Sequence, residues 1–198
     1  MHIFELPMTE EVIHWEHHRR PVPPPQVYKH AVIRYFAKKH NIGMFVETGT
    51  LHGDTVEAVK DVFNTIYSIE LSEVLYQNAL ARFAGEDSIK LLYGDSGWVL
   101  SELLTKITSP CVLWLDSHYT EVPFAALGPQ FTPIMAELHA VLDHPLVDQH
   151  VILIDDARLF QGHFDFPTVE QIRDFVASKR QDLHFEVLYD IMQIYKKY

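Results

Sequence analysis

The sequence predicts an α/β protein: a mostly parallel β-sheet with helices on both faces, ending in an antiparallel hairpin. From residue 44 onward, short β-branched or aromatic runs alternate with helical patterns, the signature of successive βα units. The run Val151-Ile152-Leu153-Ile154 is apolar on both faces, as a central parallel strand must be when helices cover both sides. Residues 184–189 and 192–198 are strand-like runs too close together for a crossover, so they must pair antiparallel. A length of 198 residues suits a single domain, and 47% hydrophobic with 22% charged residues is ordinary globular usage.

Residues 9–20 read as a short helix with Thr9 as N-cap. Pro21, Pro23, Pro24 and Pro25 then remove amide donors and fix φ, which forces an extended connector. Residues 1–25 are therefore an arm and residues 26–198 the main domain. Residues 26–40 form the next predicted helix, with Val27, Ala31 and Tyr35 on its core side and Lys38, Lys39 and His40 in the last turn, where cations suit the dipole. Parallel strands are expected at 44–47, 65–70, 89–94, 111–116 and 151–155, with helices beginning near Gly53, Ser72, Gly97, Pro129 and Pro167. With the hairpin this makes seven strands. Val56, Val59 and Phe63, and Leu75, Ala79 and Phe83, have the spacing of core-facing helix stripes. Thr168 and Gln171 form a capping pair just after Pro167.

The formal charge is −11 at pH 7, from 16 Lys and Arg against 27 Asp and Glu. A surface that negative repels phosphate backbones and anionic lipid, so the expected partner is a small molecule, with no nucleic acid and no membrane. Cys111 is the only cysteine and reads as inert core; no intrachain disulfide can form. No signal-peptide pattern and no apolar run of about 20 residues is present, so a cytoplasmic location is expected. His14, His17 and His18 read as a solvated helix face, and Trp98 and Trp114 as packing residues.

In an open parallel sheet, ligands bind outside the carboxyl ends of the strands, near the point where strand order reverses. The first strand runs into Glu47-Thr48-Gly49-Thr50-Leu51-His52-Gly53-Asp54-Thr55, where Gly49 permits a tight turn and close approach to a ligand and Gly53 lets the helix start pack close to the strand. This is only part of a Gly-x-Gly-x-x-Gly fingerprint and identifies no cofactor alone. Glu70 closes the second strand about 20 residues beyond the glycine loop, placed to accept from ribose hydroxyls or simply to favour a helix start. Asp95, followed by Ser96, is placed to meet an adenine amino group or to cap the next helix. Glu47, Glu70, Asp95, Asp116 and Asp155 each close a predicted strand. Carboxylates converging on one sheet edge are destabilising unless something cationic is bound, and a sulfonium cofactor, a metal ion or both would relieve them.

The segment Val46-Glu47-Thr48-Gly49-Thr50-Leu51-His52-Gly53, with Glu70, Gly94-Asp95 and the closing hairpin, resembles class I S-adenosylmethionine-dependent methyltransferases over about residues 26–198. The resemblance implies a Rossmann-like methyltransferase sheet with S-adenosylmethionine as cofactor. It places the loop residues Glu47, Thr48, Gly49, Thr50, Gly53 and Thr55 along the methionine part, Glu70 on the ribose, and Asp95 with Ser96 at the adenine. Leu113-Trp114-Leu115-Asp116-Ser117-His118-Tyr119 and Ile152-Leu153-Ile154-Asp155-Asp156 are similar to the macrocin O-methyltransferase branch, a group of sugar O-methyltransferases. That likeness implies a magnesium ion on Asp116, Asp155 and Asp156. His118 stands where the branch usually has a second Asp.

The expected activity is methyl transfer to an oxygen of a small molecule, with Asp116 and His118 as catalytic residues and His118 taking the hydroxyl proton. Other readings stay open. Asp155-Asp156 equally suits a loop-opening turn partnered by Arg158, and His118 a structural hydrogen bond. The domain as a whole equally suits a catalytically silent ligand-binding unit, and Glu70 the ribose of a nicotinamide cofactor. The Pro-linked arm reads as a lid or as the contact of a homodimer.

Overall fold

The computed structural model describes residues 6–197. Its helices are α1 (Glu10–His17), α2 (Gln26–His40), α3 (Asp54–Val59), α4 (Glu73–Arg82), α5 (Ser96–Leu104), α6 (Ile134–Leu142) and α7 (Val169–Lys179). The strands are β1 (Met44–Thr48), β2 (Thr65–Glu70), β3 (Ile89–Tyr93), β4 (Val112–Leu115), β5 (Val151–Ile154), β6 (His184–Leu188) and β7 (Ile191–Tyr195). They form one sheet in the order β3-β2-β1-β4-β5-β7-β6. β1 to β5 are parallel, and β7 runs antiparallel to both its neighbours. The α/β class, the parallel body and the terminal hairpin are as the sequence predicts.

Side chains alternate across the pleat and sort the core into two layers. Phe45, Val112, Trp114, Val151, Leu153 and Ile191 join Phe36 of α2, Val56 of α3 and Ala79 of α4 on one face. Val46, Leu113, Leu115, Ile152, Ile154 and Met192 join Leu100 of α5, Leu138 of α6 and Ile172 of α7 on the other. Each face is thus covered by three helices, and strand order reverses at β1, which has β2 on one side and β4 on the other. That switch point locates the ligand crevice.

Several boundaries and faces depart from expectation, each for a local reason. α1 stops at His17 because Arg19 and Arg20 adopt positive φ (63° and 57°). α6 begins at Ile134 instead of near Pro129: Pro133 disfavours a helical conformation at Thr132, so residues 116–133 cross the sheet edge as irregular chain. The hairpin turns at Tyr189-Asp190, both with positive φ (46° and 70°), one residue earlier than expected, because Leu188 pairs with Ile191. Tyr198, included in the expected last strand, lies outside the described residues, as do residues 1–5 of the arm. α2 is rotated by one position: its buried face is Tyr28, Lys29, Val32, Ile33 and Phe36, and Val27, Ala31 and Tyr35 lie beside that stripe.

α1 folds back on its own chain. Trp15 packs its ring 5.0 Å from Tyr28 and 5.3 Å from Tyr189, donates its indole N–H to Pro21 O at 2.7 Å, and Arg20 donates to the Tyr189 hydroxyl at 2.6 Å. His14, His17 and His18 are exposed, and Cys111 is fully buried, which pushes its thiol up to about 12. Trp114 is core, but Trp98, expected to pack, is 78% exposed. No helix among the described residues is long and apolar enough to cross a membrane.

Candidate functional site

A cavity of about 280 Å³ opens at the carboxyl ends of β1 to β5, roofed by residues from the 116–133 segment. Gly49, Glu70, Asp95 and Ser96 line one half, and Asp116, His118, Asp155 and Asp156 the other.

The first half is held by main-chain amides. Gly49 has φ of 88°, and a Cβ there would sit 2.5 Å from the Asp116 carbonyl oxygen, so only glycine lets the loop after β1 pass the loop after β4. The Leu51 N–H donates to Glu70 Oε2 and the Ser72 N–H to Glu70 Oε1, both at 2.8 Å. This ties the β1 loop to the end of β2 and fixes the carboxylate at the cavity wall. Asp95 caps α5, accepting from Gly97 N–H at 2.8 Å, while still lining the cavity.

The remaining loop residues lie behind this wall and do not line the cavity. Glu47 is inside β1 instead of at its end; Ser68 Oγ donates to its Oε2 at 2.5 Å, and Thr50 Oγ1 lies 2.6 Å from that serine oxygen. Burial pushes Glu47 up to about 8, against the hydrogen bonds of Ser68 and Thr55. Thr48 Oγ1 accepts from Asp116 N–H at 3.3 Å. Gly53 caps α3 against the Phe83 ring, 2.7 Å from where a Cβ would be; its close neighbour is thus the end of α4 and not a strand.

The second half is held by side-chain cations. Lys29 is 5% exposed, and its ammonium donates to Asp155 Oδ2 at 2.5 Å and to Asp156 Oδ1 at 3.0 Å. Arg158 donates to Asp156 Oδ1 at 2.7 Å and pairs with the buried Asp190 of the hairpin turn. His118 directs Nδ1 to Asp116 Oδ1 (3.5 Å) and Nε2 to Asp156 Oδ2 (3.3 Å). Burial works against charge throughout. It pushes Asp116 and Asp155 up; at Asp156 it is outweighed by His118, Lys29 and Arg158, which hold that carboxyl below the usual range. Lys29 and His118 are held above their ordinary values by the carboxylates despite burial.

Two buried charged residues of the site carry no motif. Glu137 of α6 is 1% exposed and accepts from Ser117 Oγ at 2.8 Å beneath the cavity; burial pushes it up. Its signal was a lone acid on the apolar stripe of Ile134, Leu138 and Val141. Lys29 lies on the Val32, Ile33 and Phe36 stripe of α2 in the same manner, hidden by reading the helix one position out of phase.

The expected metal ligands are divided. Asp116, His118 and Asp156 present ligand atoms within 4.8 Å of one another. Asp155 is turned to Lys29 and to the Asp156 N–H, which donates to its Oδ1 at 2.8 Å. His118 has both ring nitrogens facing carboxylates, the posture of a two-fold donor; a metal ligand needs a bare lone pair aimed at the ion.

No protein-family model matches the chain, and no curated protein matches it. Solved structures share its fold. An O-methyltransferase from Bacillus cereus in complex with SAH superposes with a TM-score of 0.60 at 15% identity, covering 94% of this chain and 90% of that one. A SAH-bound methyltransferase from Podospora anserina gives 0.57 at 16%, covering 96% and 89%. The O-methyltransferase TomG from Streptomyces achromogenes, in complex with SAM, gives 0.53 at 12%, covering 98% and 92%. At these identities the likeness establishes the fold: a Rossmann-like sheet of the methyltransferase kind, seven-stranded with an antiparallel β7.

Proposed function

We propose that the chain is an S-adenosylmethionine-dependent methyltransferase acting on an oxygen of a small-molecule acceptor, in the cytoplasm. The observation that carries this is Glu70, buried at the switch-point cavity and pinned by two backbone amides, with Asp95 and Gly49 on the same wall. A carboxylate has about four acceptor positions, so two amide bonds leave Glu70 room for both hydroxyls of a ribose. Asp95 faces the cavity to accept from an adenine amino group, and Gly49 lets the loop after β1 pass close to the Asp116 backbone at the cavity wall. The hydrogen-bonded network of Glu47, Thr50, Thr55 and Ser68 stiffens the loop that follows the methionine part.

Bound there, the cofactor supplies an activated methyl group whose sulfur departs as a neutral thioether. The protein's part is alignment and proton handling. Asp116 faces the cavity beside His118, whose two ring nitrogens are already directed at carboxylates, and the hydroxyl proton of the acceptor passes to the Asp116 carboxylate, which burial makes the better base. The magnesium expected from the macrocin likeness enters no step, because Asp155 and Asp156 are matched by Lys29 and Arg158. The net charge of −11 supports a small acceptor over a nucleic acid.

Calorimetric titration with S-adenosylhomocysteine and with NAD tests this. Binding of S-adenosylhomocysteine, weakened at least about tenfold in Glu70→Gln, is expected. Binding of NAD alone would overturn the reading in favour of an oxidoreductase. Binding of S-adenosylhomocysteine with no turnover on any hydroxyl acceptor would leave a ligand-binding domain.

A further inference from the structure

We propose that Lys29 is the resident cation of this site: its ammonium occupies the position between Asp155 and Asp156 that a divalent metal would need, so the site takes no metal, and its remaining N–H positions the acceptor oxygen. The metal half of this inference stands on the charge arrangement alone; the acceptor half rests on the methyl-transfer reading.

Lys29 comes from α2, on the opposite face of the sheet from α5 to α7, and enters the site from beside β5. Its side chain is 6% exposed, nearly as buried as the Asp155 side chain it meets, at 2%. Lysine is almost never buried so fully unless it is paired. Here two of its three N–H groups are spent on Asp155 and Asp156, and the residue still lines the cavity. One N–H is therefore left for a cavity ligand, and an acceptor oxygen that gains negative charge as it loses its proton is held more strongly by an ammonium than a neutral one.

Each carboxylate expected to hold a dication is already engaged by a cation or an amide, and in the one close trio, Asp116, His118 and Asp156, both His118 ring nitrogens face carboxylates instead of offering a lone pair. Asp156 is shared among Lys29, Arg158 and His118; Asp155 is shared between Lys29 and a backbone amide; Arg158 is also held by Asp190. A metal on Asp116, Asp155 and Asp156 would have to sit against the Lys29 ammonium and displace it. Yet the ammonium has nowhere to go, because its stem is packed in the buried stripe of α2.

The test uses the full chain and Mn²⁺ followed by electron paramagnetic resonance, with Mg²⁺ as competitor. The native protein is expected to hold no Mn²⁺ at millimolar concentration. Lys29→Met vacates the position among the carboxylates and is expected to bind one Mn²⁺ at least about 100-fold more tightly than the native protein, with loss of that binding when Asp155→Asn is added. Stoichiometric Mn²⁺ binding by the native protein would overturn the proposal. So would a folded Lys29→Met that binds none. Should Lys29→Met not fold, Lys29→Gln, which keeps a donor for Asp155, serves in its place, and the native titration remains decisive by itself. Affinity for S-adenosylhomocysteine, measured in the same samples with and without a chelator, is expected to be unchanged by the chelator. Failure of the native protein to bind S-adenosylhomocysteine would remove the functional reading and leave the metal result standing. With an acceptor in hand, Lys29→Gln is expected to raise KM for the acceptor with kcat less affected and no rescue by Mg²⁺; an unchanged KM would overturn the positioning role.

Discussion

The two halves of the cavity hold their carboxylates by different means. At the ends of β1 to β3, Glu70 and Asp95 accept from backbone amides a few residues away along their own loops or from the adjacent loop after β1. At the ends of β4 and β5, Asp155 and Asp156 are held by side-chain cations, and Lys29 lies 126 positions from Asp155 in the chain. Backbone amides do not titrate, and only a proline at the donor position removes one. A half built on them tolerates substitution around it and is already shaped for a ligand. A half built on buried ion pairs fails as a unit when one partner is lost, because the survivor stays buried and uncompensated.

The contrast is sharpest in stability. Lys29→Met is expected to cost about 3–5 kcal/mol in denaturant unfolding, and Lys29→Met with Asp155→Asn to recover most of that. A cost below about 1 kcal/mol would place the pair with ordinary surface bridges. On the amide-held side, Glu70→Gln is expected to cost only about 1 kcal/mol, its oxygen still accepting one amide bond, while cofactor affinity falls by the larger factor. Gly49→Ala forces a Cβ against the Asp116 carbonyl at positive φ and is expected to cost about 1–3 kcal/mol and to weaken cofactor binding with it.

Titration separates the same regions. Glu47, beneath the amide-held half, is pushed up to about 8, so the folded state keeps a proton that the unfolded chain releases near pH 4.5. Its contribution is present below pH 4.5 and lost as pH rises through about 8; Glu47→Gln is expected to flatten this loss, worth a few kcal/mol at pH 9 by denaturant titration. Away from both halves, His150 accepts from the Cys111 N–H at 3.0 Å and lies 2.8 Å from His144, and burial pushes it down to about 4. The folded state then binds fewer protons than the unfolded chain, so stability falls as pH drops from about 6.5 to about 4, by roughly 3 kcal/mol. His150→Gln is expected to reduce that slope. The smallest expected effect is that of Trp98→Ala. Its ring is exposed, and stability should stay within about 0.5 kcal/mol while adenosyl affinity reports whether the ring covers the adenine.

Legibility in the sequence follows the same division. The capping box of Thr168 and Gln171, the Asp95 and Ser72 caps, the span of α2 and the two-residue hairpin turn all act within a few residues of themselves, and local pattern reveals them. The convergence of Glu70, Asp95, Asp116 and Asp155 on one edge also follows from pattern, because parallel βα units present all their strand ends on one side. Glu137 carries a local signal, a lone acid on an apolar stripe, but Lys29 is hidden for a different reason. A helix advances about 100° per residue, so reading α2 one position out of phase, with Val27, Ala31 and Tyr35 inward, sends Lys29 to solvent.

Strand alternation, helix caps and the order of βα units were thus settled by the amino-acid sequence, since each depends on neighbours a turn or a strand away. Which acids in the crevice meet amides and which meet an ammonium was decided only by tertiary structure. That choice depends on the rotation of one helix against a sheet, and burial makes it binding: in the low-dielectric interior a charge must find its partner, however distant in sequence.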